Sequence, residues 1–202
     1  MVCMIDTREH ILRTAFRLFI TKSYKAVTMS DLEKETGLTK GAFYHYFKSK
    51  EEIYIEVIDK FYLASHMPRN EEIEENGTLK AYIDLHLDHI DFLAKKLKEI
   101  ANIDRPDPTS ISLIMEAKDY YPGFAEKLKE LGDAIFNKWE RVITRAKVKG
   151  EILPDIESDI LAENFIAIGY SIFRFIMNGR SVEFAFSMIK LQYNQLYKLI
   201  KN

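Results

Sequence analysis

Thr28-Met29-Ser30-Asp31-Leu32-Glu33-Lys34-Glu35-Thr36-Gly37-Leu38-Thr39-Lys40-Gly41-Ala42-Phe43-Tyr44-His45-Tyr46-Phe47 is the stretch whose reading decides the fold. Thr28 stands where a helix cap belongs, with Asp31 at the third helical position. The spacing predicts a short helix from Met29 to Thr36. Gly37 suits the left-handed residue that ends such a helix. Leu38 turns inward, and Thr39 can cap a second short helix from Lys40 to about Tyr46. Two short helices joined by a tight glycine-containing turn form a helix-turn-helix. Phe43 and Phe47 lie one turn apart on one face and belong, with Tyr46, to a core shared with Leu32 and with Phe16 or Phe19.

The segment on either side extends the pattern. Ile11, Leu12, Ala15, Phe16, Leu18 and Phe19 recur at helical spacing, which predicts a first helix from about Asp6 to Thr21. Ser49-Lys50-Glu51-Glu52 has the form of a capping box and opens a fourth helix that runs to about Ser65. His66 to Gly77 is polar and acidic and reads as a linker. Further helices are expected at about 78–103, 109–119, 122–149, 156–178 and 181–200. The Asp104–Pro108 run breaks the first pair, Pro122 favours a helix start, and Gly150 and Gly179 act as stops. The expected fold is all-α, about nine helices: an N-terminal domain over residues 1–50, a connector at 50–66, and a helical domain over 67–202.

Composition agrees with that class. The 202 residues are 47% hydrophobic with only 8 Gly and 5 Pro, which favours long helices over a turn-rich sheet. A single cysteine, Cys3, allows no disulfide framework within the chain and points to a reducing compartment. Cys3 itself reads as inert. The most apolar stretch, Ile160 to Met177, carries Glu163, Asn164 and Arg174 and reads as a buried helix rather than a membrane span. The expected setting is soluble and cytoplasmic.

The net charge of −2 at first speaks against nucleic acid, but its distribution does not. Lys40, Lys48 and Lys50 stand in residues 38–50 with no acid among them, while Glu71, Glu72, Glu74 and Glu75 cluster elsewhere. A short helix fits the DNA major groove, and its N-terminal residues meet base edges there. Its free N–H groups and positive dipole end attract phosphate. Thr39 and Lys40 occupy that end. Gly41 and Ala42 keep the helix slim, Ala42 is placed to touch a thymine methyl, and Tyr44 and His45 follow one turn on. Lys50 is aimed at the DNA backbone. Spacing alone fits equally well an ordinary helical corner with solvated lysines.

Residues 8–54 resemble the DNA-binding domain of the TetR family of bacterial regulators. The run from Thr28 to Glu52 follows that family's signature almost throughout. Its specific part is Lys40-Gly41 through Tyr44-His45-Tyr46-Phe47 with Lys50. Glu33 and Thr36 depart from it, standing where small alanines are usual. The resemblance implies that Thr28, Thr39, Lys40, Tyr44, His45 and Lys50 meet phosphates or bases. It also implies a homodimer formed by the last two helices, and a ligand pocket within residues 78–178.

The last two helices carry apolar residues on more than one face. Leu161, Phe165, Ile168, Ile172, Phe175 and Ile176 lie on the eighth. Met188, Leu191, Gln195 and Leu199 make one stripe on the ninth, and Ala185, Ile189, Leu196 and Ile200 make another. One stripe packs at home and the other asks for a partner. The expected dimer interface is Leu161, Phe165, Ile168, Ile172, Ala185, Met188, Ile189, Leu191 and Leu196. The sequence leaves open which stripe faces the partner. Tyr82, His86, Phe92, Tyr120, Tyr121, Trp139, Tyr170 and Arg174 are the pocket candidates, suited to a small, largely apolar effector. Each also fits plain core packing. His86 and His89, with Asp88 and Asp91, have a spacing that can hold a metal. A solvated helix face is the expected reading, so no metal and no cofactor is assigned.

The expected function is a sequence-specific DNA-binding transcriptional regulator, a repressor released from operator DNA by its ligand. The alternative is a DNA-binding adaptor controlled by a protein partner. No nucleophile–base pair is recognisable, so no enzyme is expected.

Overall fold

A computed structural model describes residues 6–68, 77–101 and 109–202. Cys3, the acidic 71–75 run and the Asp104–Pro108 break lie outside them. In chain order the helices are α1 (Thr7–Ala26), α2 (Met29–Thr36), α3 (Lys40–Tyr46) and α4 (Lys50–Ile58), then α5 (Leu79–Ala101), α6 (Thr109–Tyr120), α7 (Phe124–Val148), α8 (Ser158–Met177) and α9 (Val182–Ile200). Helix α4 continues through a π-helical stretch, Asp59–Leu63, into a last turn, Ala64–His66. Among the described residues the only β pairing is an isolated bridge between Ile152 and Lys201.

The chain forms two compact units. One comprises the chain up to His66 and Lys96–Leu128; the other comprises Met67–Lys95 and Lys129–Asn202. Helices α5 and α7 each contribute residues to both.

In the first unit the caps fall where the sequence places them. Asp6 accepts the Arg8 N–H at 3.2 Å. Thr28 accepts the Asp31 N–H at 3.1 Å while the Asp31 carboxylate accepts the Thr28 N–H at 2.8 Å, a complete capping box. That exchange, together with the Thr28 hydroxyl, holds the Asp31 carboxyl below its usual range. Gly37 ends α2 with φ 69°, a conformation that glycine adopts without a Cβ clash. At α4 the box is only half formed. Ser49 Oγ accepts the Glu52 N–H at 3.1 Å, but the Glu52 carboxylate reaches past Ser49 to the Lys48 N–H at 2.8 Å. The core of this unit includes Ile11, Leu12, Phe16, Phe19, Leu32, Phe43, Phe47, Ile53 and Val57, all buried. Tyr46, expected in that core, is only half-buried. Helix α1 runs to Ala26, five residues beyond its expected end, but Ser23 breaks its geometry.

In the second unit Trp139, Tyr82, Phe165, Ile143, Ile189 and Tyr193 form the centre of one apolar cluster. Glu151 organises its rim. Its carboxylate accepts the Leu79 N–H at 2.9 Å and the Lys80 N–H at 3.1 Å, so it serves the free N–H groups at the start of α5. The Tyr197 hydroxyl donates to the same carboxylate at 3.1 Å. Burial and that neighbouring charge push the Tyr197 phenol up to about 12. Gly150 and Gly179 stop α7 and α8 in the left-handed region, at φ 69° and 72°. Pro122 does not start α7. It sits in a turn with Gly123, φ 81°, and the helix begins at Phe124.

Helix α8 departs from the reading of a buried helix. By length and composition it could span a membrane, yet only Leu161, Ala162, Phe165 and Phe175 are buried. Ile160, Tyr170, Phe173 and Met177 stand exposed within one chain.

Candidate nucleic-acid interface

Helix α3 sends one side chain into the core and leaves most of its first turn in solvent. Phe43 points inward and is fully buried, whereas Lys40, Gly41, Ala42 and His45 are exposed, as is the cap residue Thr39. Tyr44 is half-buried, with Phe43 edge-on at 5.9 Å and the Lys40 ammonium 5.9 Å from its ring centroid. Thr28, at the cap of α2, is exposed in the same unit. Thr39 Oγ accepts the Ala42 N–H at 3.4 Å, which leaves other N–H groups of the first turn pointing at solvent. No acidic residue lies in the first turn of α3. The Lys48 ammonium is bonded to the Tyr44 carbonyl at the far end. Gly41 faces open space: a Cβ there would meet no atom within 4 Å. The folded chain itself therefore does not require glycine at this helical position.

Lys50 is placed differently from the others. Its ammonium donates to the carbonyls of Tyr24 at 2.8 Å and Val27 at 2.7 Å, and lies 4.1 Å from the Tyr24 ring centroid. Partial burial lowers its pKa from the ordinary lysine value. In the free protein this lysine ties the end of α1.

Thr36, a polar residue in the second helix, is buried. Its hydroxyl donates to the Glu33 carbonyl at 2.9 Å, so the buried oxygen has a partner.

Over this segment the chain is similar to the TetR family of regulators. The family model "Bacterial regulatory proteins, tetR family" matches residues 11–57, which hold most of α1, all of α2 and α3, and most of α4. Two curated relatives extend the match. One is YerO of Bacillus subtilis, described as an uncharacterised HTH-type transcriptional regulator, 34% identical over 107 residues. The other is NemR of Escherichia coli, described as an HTH-type transcriptional repressor, 38% identical over 72 residues. These matches cover 48% and 36% of this chain and only 37% and 36% of those relatives. The chain thus aligns with little more than a third of the relatives' length. A solved structure of reduced Escherichia coli NemR shares the fold over 98% of both chains, with TM-score 0.63 and 18% identity.

The eight pocket candidates are divided between the two units. Tyr82, His86 and Trp139 meet in the second unit. Trp139 stacks on Phe165 at 4.8 Å and meets Tyr82 and His86 edge-on at 4.6 and 5.2 Å. Tyr193 completes the group, 5.7 Å from His86, and its hydroxyl donates to the Phe165 carbonyl at 2.9 Å. Tyr120 and Tyr121 belong to the first unit. Tyr120 packs at a tilt against Tyr24 at 4.4 Å, and the Tyr121 hydroxyl bonds the Asp59 carboxylate at 2.6 Å. Phe92, Tyr170 and Arg174 are exposed. Sequence periodicity placed the aromatics on helices but assigned Phe165 to a dimer interface and passed over Tyr193, because their ring partners lie on other helices.

His86 also corrects the expectation of a solvated His86–His89 face. Its ring is enclosed by Tyr82, Trp139 and Tyr193. Among the described residues no cluster of His, Cys, Asp and Glu has metal-binding geometry. Burial, then the nearby His89, lowers the His86 pKa to about 4. The unfolded chain, near 6.5, therefore binds more protons than the folded one between those values. Stability is full above about pH 6.5 and falls as pH drops towards 4. His86→Phe is expected to flatten the fall in melting temperature between pH 6.5 and 5. An unchanged slope would contradict the burial of a neutral ring.

The two stripes of α9 are resolved by exposure. Ala185, Ile189 and Ile200 are buried and Leu196 is half-buried, so that stripe faces its own unit. Leu161 and Phe165 on α8 are likewise interior, and Ile168 and Ile172 are partly covered. Leu191 and Leu199 stand exposed and Met188 half-exposed.

Proposed function

We propose that this chain is a sequence-specific DNA-binding transcriptional repressor of the cytoplasm, acting as a homodimer and released from its operator by a small, largely apolar ligand. The observation that carries the DNA reading is the exposed first turn of α3, where Thr39, Lys40, Gly41 and Ala42 stand free of acid around an open helix N-terminus. Thr28, Tyr44 and His45 complete the proposed contact set. Lys40 supplies the charge attraction to phosphate. Lys50, already bonded to carbonyls, supports the contact surface from behind and reaches phosphate only by giving those bonds up.

Gly41 provides the first test. Glycine inside a helix costs about 1 kcal/mol relative to alanine, and nothing in the free chain requires it. Close approach of a DNA backbone does. Gly41→Ala is expected to raise the melting temperature and to weaken duplex binding. A variant that gained stability and bound DNA as before would remove Gly41 from the contact set.

The dimer reading rests on the uncovered apolar faces of α8 and α9. A symmetric pairing of two such faces buries what one chain leaves exposed. Two recognition helices then address half-sites about one DNA turn apart.

The ligand reading rests on the Tyr82–His86–Trp139 cluster in the second unit. Trp139 Nε1 is a buried donor with no hydrogen-bond partner, and an unmet buried donor costs about 1–3 kcal/mol. A ligand acceptor would satisfy it. Trp139 is the only tryptophan, so its fluorescence reports on the site directly. A compound that changes this fluorescence should bind more weakly in the presence of saturating operator, because coupling is reciprocal. A compound bound equally well with and without operator would not be the inducer. If no compound stabilised the protein at all, control by a protein partner would replace the ligand.

A further inference from the structure

The corner that leads into the helix-turn-helix has a conformation that its sequence does not favour. Ser23 has φ 69° and ψ 159°, a region open essentially to glycine alone. Among the described residues it is the only non-glycine with positive φ. A residue in such a state persists only when its surroundings over-determine it.

Three ties do so, and all lie within the first unit. Glu116 on α6 accepts the backbone N–H of Tyr24, the residue after Ser23, at 2.9 Å. Lys50, at the start of α4, draws the Tyr24 and Val27 carbonyls together through one ammonium. The Tyr24 ring packs against Tyr54 at 4.5 Å and Tyr120 at 4.4 Å. A further bond fixes α6 to α4, the Tyr54 hydroxyl donating to the Leu113 carbonyl at 2.5 Å. Thr28, the cap of α2, follows buried Val27 directly. The direction in which the chain enters α2 is therefore set by groups on α4 and α6 together.

We infer that Glu116 is a positioning residue for DNA binding: from α6 it holds Ser23 in a glycine-type conformation, and so presets the corner that presents Thr28 and the α2–α3 face. The inference rests on the proposed DNA reading. Withdrawing the carboxylate frees the Tyr24 N–H and lets Ser23 relax to an ordinary well. The corner then turns away, and the contact face loses its preset orientation.

The test is a double-mutant cycle in the full chain, read against a duplex that the unmodified protein selects from random DNA. Glu116→Ala is expected to weaken that duplex about tenfold while the melt stays cooperative. Glu116→Gln keeps an oxygen acceptor for the Tyr24 N–H and should recover most of the loss. Ser23→Gly alone should raise the melting temperature and leave affinity within about twofold. In the Ser23→Gly background, Glu116→Ala should cost only about twofold, because glycine takes the conformation unaided. A loss of packing alone would carry over in full. Equal losses in both backgrounds would overturn the inference, and so would a lower melting temperature for Ser23→Gly. If Glu116→Ala does not fold, the melting temperature of Ser23→Gly decides: a rise supports the clamp and a fall overturns it. A protein that selects no duplex would overturn the DNA reading, whereas equal losses on a tightly bound duplex overturn only the clamp.

Discussion

Leu191→Glu is expected to convert the protein into monomers and to weaken its operator by about 10²–10⁴-fold. Leu191 is 63% exposed and Leu199 is 67% exposed, eight residues apart on one face of α9. Met188 lies on the same face, and α8 contributes further exposed apolar side chains. In an isologous dimer each such position meets its symmetry partner's surface, so one substitution places two carboxylates in the interface. Both lose water without gaining a cation, which is far costlier than the loss of a leucine. The monomer itself should fold, because Leu191 touches solvent in the single chain. Ile189→Glu makes the contrast: Ile189 is fully buried in its own unit, so a charge there should unfold the chain. Operator affinity falls in the first variant because the second half-site no longer binds at high effective concentration. Light scattering on both variants checks this. An unmodified protein that is monomeric at micromolar concentration, or a Leu191→Glu protein that stays dimeric, would contradict the account.

The second large effect is expected at Phe43. Phe43→Ala should cost about 3–5 kcal/mol of stability and abolish DNA binding. Helix α3 is only seven residues long, too short to persist without tertiary packing. Phe43 is its single buried residue, so this one side chain anchors the element that carries the proposed contacts. Truncation removes its contacts and leaves a cavity at the centre of the first unit. Urea unfolding of this variant against the unmodified protein measures the loss. A change below about 1 kcal/mol would mean that α3 is held by something other than its buried face.

Much of this was legible in the sequence because it is local. The Thr28–Asp31 box, the Gly37 stop and the Thr39 cap are written within four residues of the groups they serve, and each forms as read. The division of α3 into Phe43 inside and Lys40, Ala42 and His45 outside follows from helical spacing. Long-range partners left no such trace. Nothing within its own helix indicates that Glu116 bonds a backbone N–H 92 residues away, or that Glu151 caps α5. Lys50 illustrates the limit. Its place in the motif points to DNA, yet its ammonium goes to the Tyr24 and Val27 carbonyls at the end of α1, partners that lie more than twenty residues away in the chain. The apolar stripes of α9 were visible, but spacing gives two equal faces, and only burial of Ile189 against exposure of Leu191 separates them. The pocket candidates differ in burial, Trp139 enclosed and Phe92 exposed, because an aromatic residue on a helix reads the same whether it faces the core, a ligand or solvent.

The most direct test of the central claim is selection of duplex DNA from a random pool, followed by measurement of affinity against salt for the unmodified protein and Lys40→Ala. The account predicts an enriched two-fold symmetric sequence with half-sites about one helical turn apart. It also predicts a steep salt dependence, which Lys40→Ala makes shallower by about one unit of slope per site contacted. Failure to enrich any sequence, or a Lys40→Ala protein with unchanged affinity and slope, would contradict it.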